Sequence, residues 1–274
     1  MSVINTNVNS LFAQNAMKVN NRALSTAMEQ LSTGSRVNSA KDDAAGLSIG
    51  TTMTAQIRGM NQAVRNANDG ISLLQTAEGA MIEQTNMLQR MRELAVQSVN
   101  ETLDDTQRGY LNDEFTALKS QIDDVANNTT WNSKSLLTGS ASTPTTFTFQ
   151  VGASKGNTLS VDVAGTTKTA LEIESMDIGT IDEASTAIED IDKSIDAINS
   201  SRAKIGAGIN RLTYVTDNLS NIIQNTSASR SQILDTDYAT TTTNLARAQI
   251  IQQAATAMLA QANQSPQSVL ALLK

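Results

Sequence analysis

Apolar residues recur along this chain at alternating steps of four and three, the spacing that keeps one face of a helix against a neighbour. From Met53 the track reads Met53, Ile57, Met60, Val64, Ala67, Ile71, Leu74, Glu78, Met81, Thr85, Leu88, Arg92, Ala95 and Val99. Eleven of these fourteen positions are apolar and no proline interrupts them, so the pattern predicts one helix packed along a seam. At ~1.5 Å per residue it would be roughly 70 Å long. A shorter track, Leu111, Phe115, Leu118, Ile122 and Val125, predicts a second helix, with Asp104 and Asp105 suited to its N-terminus. From Ile181 to Ile233, twelve of sixteen seam positions are apolar, most of them isoleucine, which predicts another long helix in a bundle.

The two ends carry their own tracks. Ile4, Val8, Leu11, Phe12, Ala16, Val19, Ala23, Ala27 and Leu31 mark an N-terminal helix. Ala248, Ile251, Ala255, Met258, Ala262, Ser265, Val269 and Leu272 mark a C-terminal one, with Leu259, Leu270 and Leu273 on an adjacent track. Two tracks make an apolar arc too wide for one partner, so this helix is expected to meet several neighbours. Between the helices the period changes to two: Phe147, Phe149 and Val151, then Leu159, Val161 and Val163, separated by a Gly152–Asn157 turn, predict a hairpin. The Ser-, Thr- and Gly-rich remainder of 140–179 reads as exposed surface. The fold class that follows is mainly α: an elongated antiparallel helical bundle with paired terminal coiled-coil helices and a small β-hairpin excursion.

Composition narrows the function. The 274 residues include no His and no Cys, which removes thiol nucleophiles, disulfides, Ser-His-Asp triads and His/Cys zinc sites. Aromatics are only 3% of the chain, so no large aromatic core exists. A net charge of −7 without a basic cluster argues against nucleic acid as a partner. No segment is long and apolar enough for membrane insertion, and the N-terminus lacks the charged and apolar regions of a cleaved secretion signal. Asp42 and Asp43 form a carboxylate pair without acid–base neighbours, which favours turn and cap roles. Met53, Met60 and Met81 read as core filler. The reading therefore assigns no enzyme activity and no catalytic, cofactor or metal residues.

Three motifs in order carry a resemblance. VINTNVNSLFAQNAM at the start, LSTGSRVNSAKDDAAGLSIG from Leu31 to Gly50, and SRSQILDTDYATTTTNLARAQIIQQAATAMLAQANQSPQSVLALLK at the end resemble bacterial flagellin. The likeness covers about 1–139 and 180–274. TTWNSKSLLTG is similar to the family's F-N-G-x-x-L-L turn, with Trp131 for Phe and Ser133 for Gly.

The resemblance implies a short flagellin, secreted into the extracellular filament of the bacterial flagellum and used for swimming motility. It implies an inner terminal coiled-coil domain of 1–32 plus 234–274, a connecting spoke of 33–50, an outer helical bundle of 51–139 plus 180–233, and a short variable β-hairpin region at 140–179. Its partners would be copies of itself in a helical homopolymer, the export chaperone, and cap and junction proteins, after unfolded passage through the type III apparatus. The polymerisation core implied is Ile4, Val8, Leu11, Phe12, Val19, Ile251, Met258, Leu259, Val269, Leu270, Leu272 and Leu273. Leu88, Gln89, Arg90, Glu93, Leu94 and Gln97, with Glu114 on the next helix, match the stretch of flagellins that host Toll-like receptors recognise. The end of the chain resembles the segment read by cytosolic NAIP sensors, with Lys274 where Arg is common. A junction protein of the same axial family would share the heptads but fits both ends less well. The zinc protease that some flagellins carry needs H-E-x-x-H, and this chain has no His.

Overall fold

The computed structural model describes residues 6–140 and 143–271, with side chains as far as Gln264. The chain is mainly α, with five helices and two small antiparallel strand pairs among the described residues. It divides into two compact units, one of residues up to Gln56 together with those from Gln224 on, the other Ile57–Ile223.

In the first unit, α1 (Val8–Thr33) starts at Asn7, whose side chain accepts from the Ser10 amide. It ends at Gly34, whose φ of 70° is left-handed and whose N–H returns to the Gln30 carbonyl. Glycine suits that position because a Cβ disfavours it. Asp43 then accepts from the Gly46 amide at 2.8 Å and opens α2 (Ala44–Ser98), while Asp42 closes the preceding turn on Ser39 and Asn38. Helix α2 thus begins nine residues before Met53, because a capping aspartate and not the apolar track sets its first turn. At its other end, α4 (Ile181–Leu234) gives way to α5 (Tyr238–Ala271). Asp237 caps α5 by accepting from the Ala239 and Thr240 amides. The two joints are sewn together: Ser35 and Asp235 form a β-bridge, the Arg36 amide donates to Leu234, and the Thr236 amide donates to Gly34. The Arg36 guanidinium adds a bond to the Ile233 carbonyl at 2.6 Å, satisfying one of the free carbonyls at the end of α4.

The second unit is built on α2, α3 (Asp105–Asn128) and α4. Asp104 and Gln107 form a reciprocal capping box at the start of α3. Every seventh residue of the α4 track, from Ala184 through Ile191, Ile198, Ile205 and Leu212 to Leu219, is buried, and Ile188, Ile195 and Ile209 between them are half-buried. Those from Ala184 to Leu212 join one core with Leu74, Met81, Leu88 and Met91 of α2 and Phe115 and Ile122 of α3, all fully buried. A smaller cluster gathers Ile57, Met60, Ala63 and Leu219.

Strands β1 (Thr130–Trp131) and β2 (Lys134–Ser135) flank Asn132 and Ser133, both at positive φ (48° and 64°), the geometry of a tight primed turn. Ser133 adopts there what glycine takes without strain, and Trp131 packs half-buried on the core. Strands β3 (Thr145–Gln150) and β4 (Thr158–Val163) pair in the register Phe147↔Val161 and Phe149↔Leu159, which turns the alternating apolar side chains onto the helices. Gly70 of α2 makes room for them, since a Cβ there would stand 3.0 Å from the Phe149 ring.

The segment after the hairpin differs from the exposed surface read for it. Leu171, Ile173, Met176 and Ile178 are buried in the main core. Their spacing places an apolar side chain inward at nearly every second residue, and four such side chains outweigh the polar composition between them. Ser194 and Ser98 hold the strap down by donating to the Leu171 and Ile178 carbonyls.

Candidate functional site

The terminal helix pair has an inverted character. Helices α1 and α5 run antiparallel, linked in regular register by Asn7 to the Ala262 carbonyl (2.8 Å), Asn20 to the Ala248 carbonyl (2.7 Å) and the Tyr238 hydroxyl to the Leu31 carbonyl (3.3 Å). The residues buried along this seam are small or polar: Ser10, Asn20 and Ala27 from α1, Thr241 and Ala248 from α5. Small side chains let two helices approach closely, and the asparagines use that proximity for buried hydrogen bonds.

The large apolar side chains point elsewhere. Of the residues read as a polymerisation core, Val8, Leu11, Phe12 and Val19 on α1 and Ile251 and Met258 on α5 are exposed, Phe12 by 71%, and Leu259 is half-buried. Phe12, Ile251 and Met258 line a shallow groove of about 860 Å³ along the pair, floored by alanines. Ile4, Leu272, Leu273 and Lys274 lie outside the described residues, as do the side chains of Val269 and Leu270. A continuous apolar face of this kind is uncommon on a protein that works alone.

The second unit carries the other predicted surface. On α2, Leu88 and Leu94 are buried in the core, which leaves Gln89, Arg90, Glu93 and Gln97 on the exposed side, together with Ile82, Arg92 and Val96. Arg90 reaches α3: its Nε and Nη2 each lie 3.0 Å from Glu114 Oε1, and Nη1 lies 3.0 Å from Glu93 Oε2. Its bonds to Glu93 first and Glu114 second stabilise the guanidinium and raise its pKa above the ordinary arginine value. Arg92 instead bridges to Asp192 of α4 at 2.7 Å, which lowers the Asp192 pKa below the usual aspartate value. The structure therefore gathers Arg90, Glu93 and Glu114 into one fixed charge cluster and separates Leu88 and Leu94 from it.

Sequence reading missed two residues of weight. Asn20 sits off the apolar track, so periodicity gave no hint of its role. Arg108 is buried and donates to the carbonyls of Ser98, Asn100 and Leu103, pinning the α2–α3 turn. Among the described residues there is no cluster of three or more His, Cys, Asp and Glu side chains suited to a metal ion, and no helix is long and apolar enough to cross a membrane.

Residues 4–142 match the family model of the bacterial flagellin N-terminal helical region, and residues 188–273 match that of the C-terminal helical region. A flagellin of Halalkalibacterium halodurans is 44% identical over 274 residues, covering 99% of this chain and 100% of that protein. The flagellar filament 33 kDa core protein of Treponema phagedenis is 37% identical, covering 99% and 100%. The crystal structure of Bacillus cereus flagellin superposes with a TM-score of 0.51 at 32% identity, covering 57% of this chain and 88% of that one.

Proposed function

This chain belongs to the bacterial flagellin family, and on that premise we propose that it is a structural subunit that polymerises with copies of itself into an extracellular flagellar filament. The observation that carries the reading is the α1–α5 pair, whose seam is small and polar while Phe12, Val19, Ile251 and Met258 are left uncovered. Covering one fully exposed Leu- or Phe-sized side chain contributes about 1.5–3 kcal/mol, so a handful per subunit supports stable association. The occupant is a second copy: a contact between different faces of identical subunits, with a rotation that does not close, yields a helical polymer. In this reading the terminal unit lines the inside of the filament, the helical unit lies outside it, and the terminal helices gain most of their stability on assembly. The role is structural and not enzymatic.

Seeded elongation tests it. Purified full-length protein added to short filament fragments should lengthen them in electron micrographs, faster at moderate than at very low salt because like-charged subunits are brought together. Protein lacking both terminal helices should not lengthen seeds. Elongation by the trimmed protein at the full rate would sink the reading.

Family resemblance also supports unfolded export through a type III apparatus with a chaperone on the C-terminal helix, cap and junction proteins at the filament ends, and NAIP recognition of the last residues. The Arg90–Glu93–Glu114 cluster favours one further reading, recognition by host Toll-like receptors through Gln89, Arg90, Glu93, Gln97 and Glu114, with the buried Leu88 and Leu94 fixing the face from beneath. Arg90→Ala should lower receptor signalling by dispersed subunits in a reporter cell while leaving seeded elongation intact. Unchanged signalling would remove this surface from consideration.

A further inference from the structure

The chain has ten methionines and no cysteine, so thioethers are its only sulfur. Their exposure spans the whole range, with Met17, Met53 and Met87 half-buried. Met81 and Met91 are fully buried, Met60 and Met176 nearly so, while Met28 and Met258 are 56% and 65% exposed. Met258 alone of these lines the apolar groove of the terminal pair, beside Phe12 and Ile251. Oxidation of a thioether follows access to its sulfur, and the product changes an apolar side chain into a polar one.

We propose that Met258 is a peroxide-sensitive modification site whose sulfoxide prevents the free subunit from joining its copies. The proposal rests on the reading of the α1–α5 face as an assembly surface. A sulfur lone pair attacks one peroxide oxygen, the O–O bond breaks and an S–O bond forms. The displaced oxygen takes the proton of the transferred one and leaves as water from hydrogen peroxide, or as alcohol from an organic peroxide. Sulfur loses two electrons and the peroxide gains them.

A sulfoxide oxygen is a strong acceptor, and an apolar partner surface offers it no donor. Covering it therefore costs desolvation without return, where covering the thioether was favourable. Once a subunit is assembled the same sulfur is sheltered, so the sensitivity belongs to the free state. Met28, also exposed but outside the groove, is the internal control.

Dilute full-length protein and preformed filaments are exposed to hydrogen peroxide, quenched and mapped by peptide mass spectrometry, and seeded elongation is measured on the same samples. In free protein Met258 and Met28 should gain one oxygen at least about ten-fold faster than Met81 and Met91, and in filaments Met258 should fall behind Met28. With each protein compared against its own untreated rate, peroxide should abolish elongation by the wild type and by Met28→Leu, whereas Met258→Leu should keep its own untreated rate, whatever that rate is, because its side chain cannot be oxidised. Methionine sulfoxide reductase should restore the wild type. Equal oxidation of Met258 and Met81 in the free subunit, or equal loss of elongation in Met258→Leu, would overturn the proposal. Failure of untreated protein to elongate seeds would instead overturn the assembly reading, and the peptide map of the free subunit would still decide whether Met258 is selectively oxidised.

Discussion

Asn20 donates its side-chain amide to the Ala248 carbonyl at 2.7 Å in a buried position, so the two terminal helices are fastened by a polar bond where an apolar knob would be expected. Replacing Asn20 by Ala removes that bond, a net loss of about 1 kcal/mol. Hydrogen exchange should show faster exchange along 8–33 and 238–264, with the 57–223 core unchanged. A uniform change across the chain would contradict a local fastening.

Gly70 and Gly79 lie on the same helix and should respond in opposite directions. A Cβ at Gly70 meets the Phe149 ring at 3.0 Å, whereas Gly79 has nothing within 4 Å. Gly70→Val should destabilise by roughly 1–3 kcal/mol through overpacking and loosen the β3–β4 hairpin. Gly79→Ala should stabilise by up to about 1 kcal/mol through helix propensity. Urea unfolding of both variants checks the contrast.

Arg108 is buried with its guanidinium on three backbone carbonyls of the α2–α3 turn. Arg108→Ala strands those acceptors and should cost about 3 kcal/mol, several times the effect of a typical surface substitution. Arg108→Lys should recover only part of it, since one ammonium cannot reproduce the planar fork. The urea midpoint gives the comparison.

Acid should act on the helix starts. Bonds from Thr240 to Asp237 and from Ser39 to Asp42 hold both carboxyls below the usual aspartate value. A depressed folded pKa means the contribution is complete above the unfolded value, about 3.9, and is lost as pH falls through the lower folded value. Amide exchange at the start of α5 should therefore quicken, relative to its intrinsic rate, as pH drops below about 4. Asp237→Asn keeps an acceptor without a titration and should flatten that dependence. An identical acid response in this variant would place the sensitive group elsewhere.

The long helices were legible because their seams obey one period over many turns, and the hairpin because Phe147, Phe149, Leu159, Val161 and Val163 obey another. The start of α2 was not, because the Asp43 cap acts before the apolar track begins. Periodicity also reports that a face will be covered without saying by what. Hence it found Leu11, Phe12, Ile251 and Met258 but missed Ser10 and Asn20, the residues that face the partner helix within the chain. Composition misled at Leu171–Ile178, where the Ser, Thr and Gly of the wider 140–179 stretch masked the four side chains that decide burial. The fixed position of Arg90 depends on Glu114, which lies 24 residues away on another helix, so no local pattern contains it.

The stitching of Gly34 and Arg36 to Leu234 and Thr236 has a mechanical consequence. Within the terminal unit a lone strand would be a swivel, but two backbones buttoned side by side resist twisting and divide tension between them. Torque applied to α1 is therefore passed to α5 at the same level, through the Ser35–Asp235 bridge and the two backbone bonds that flank it.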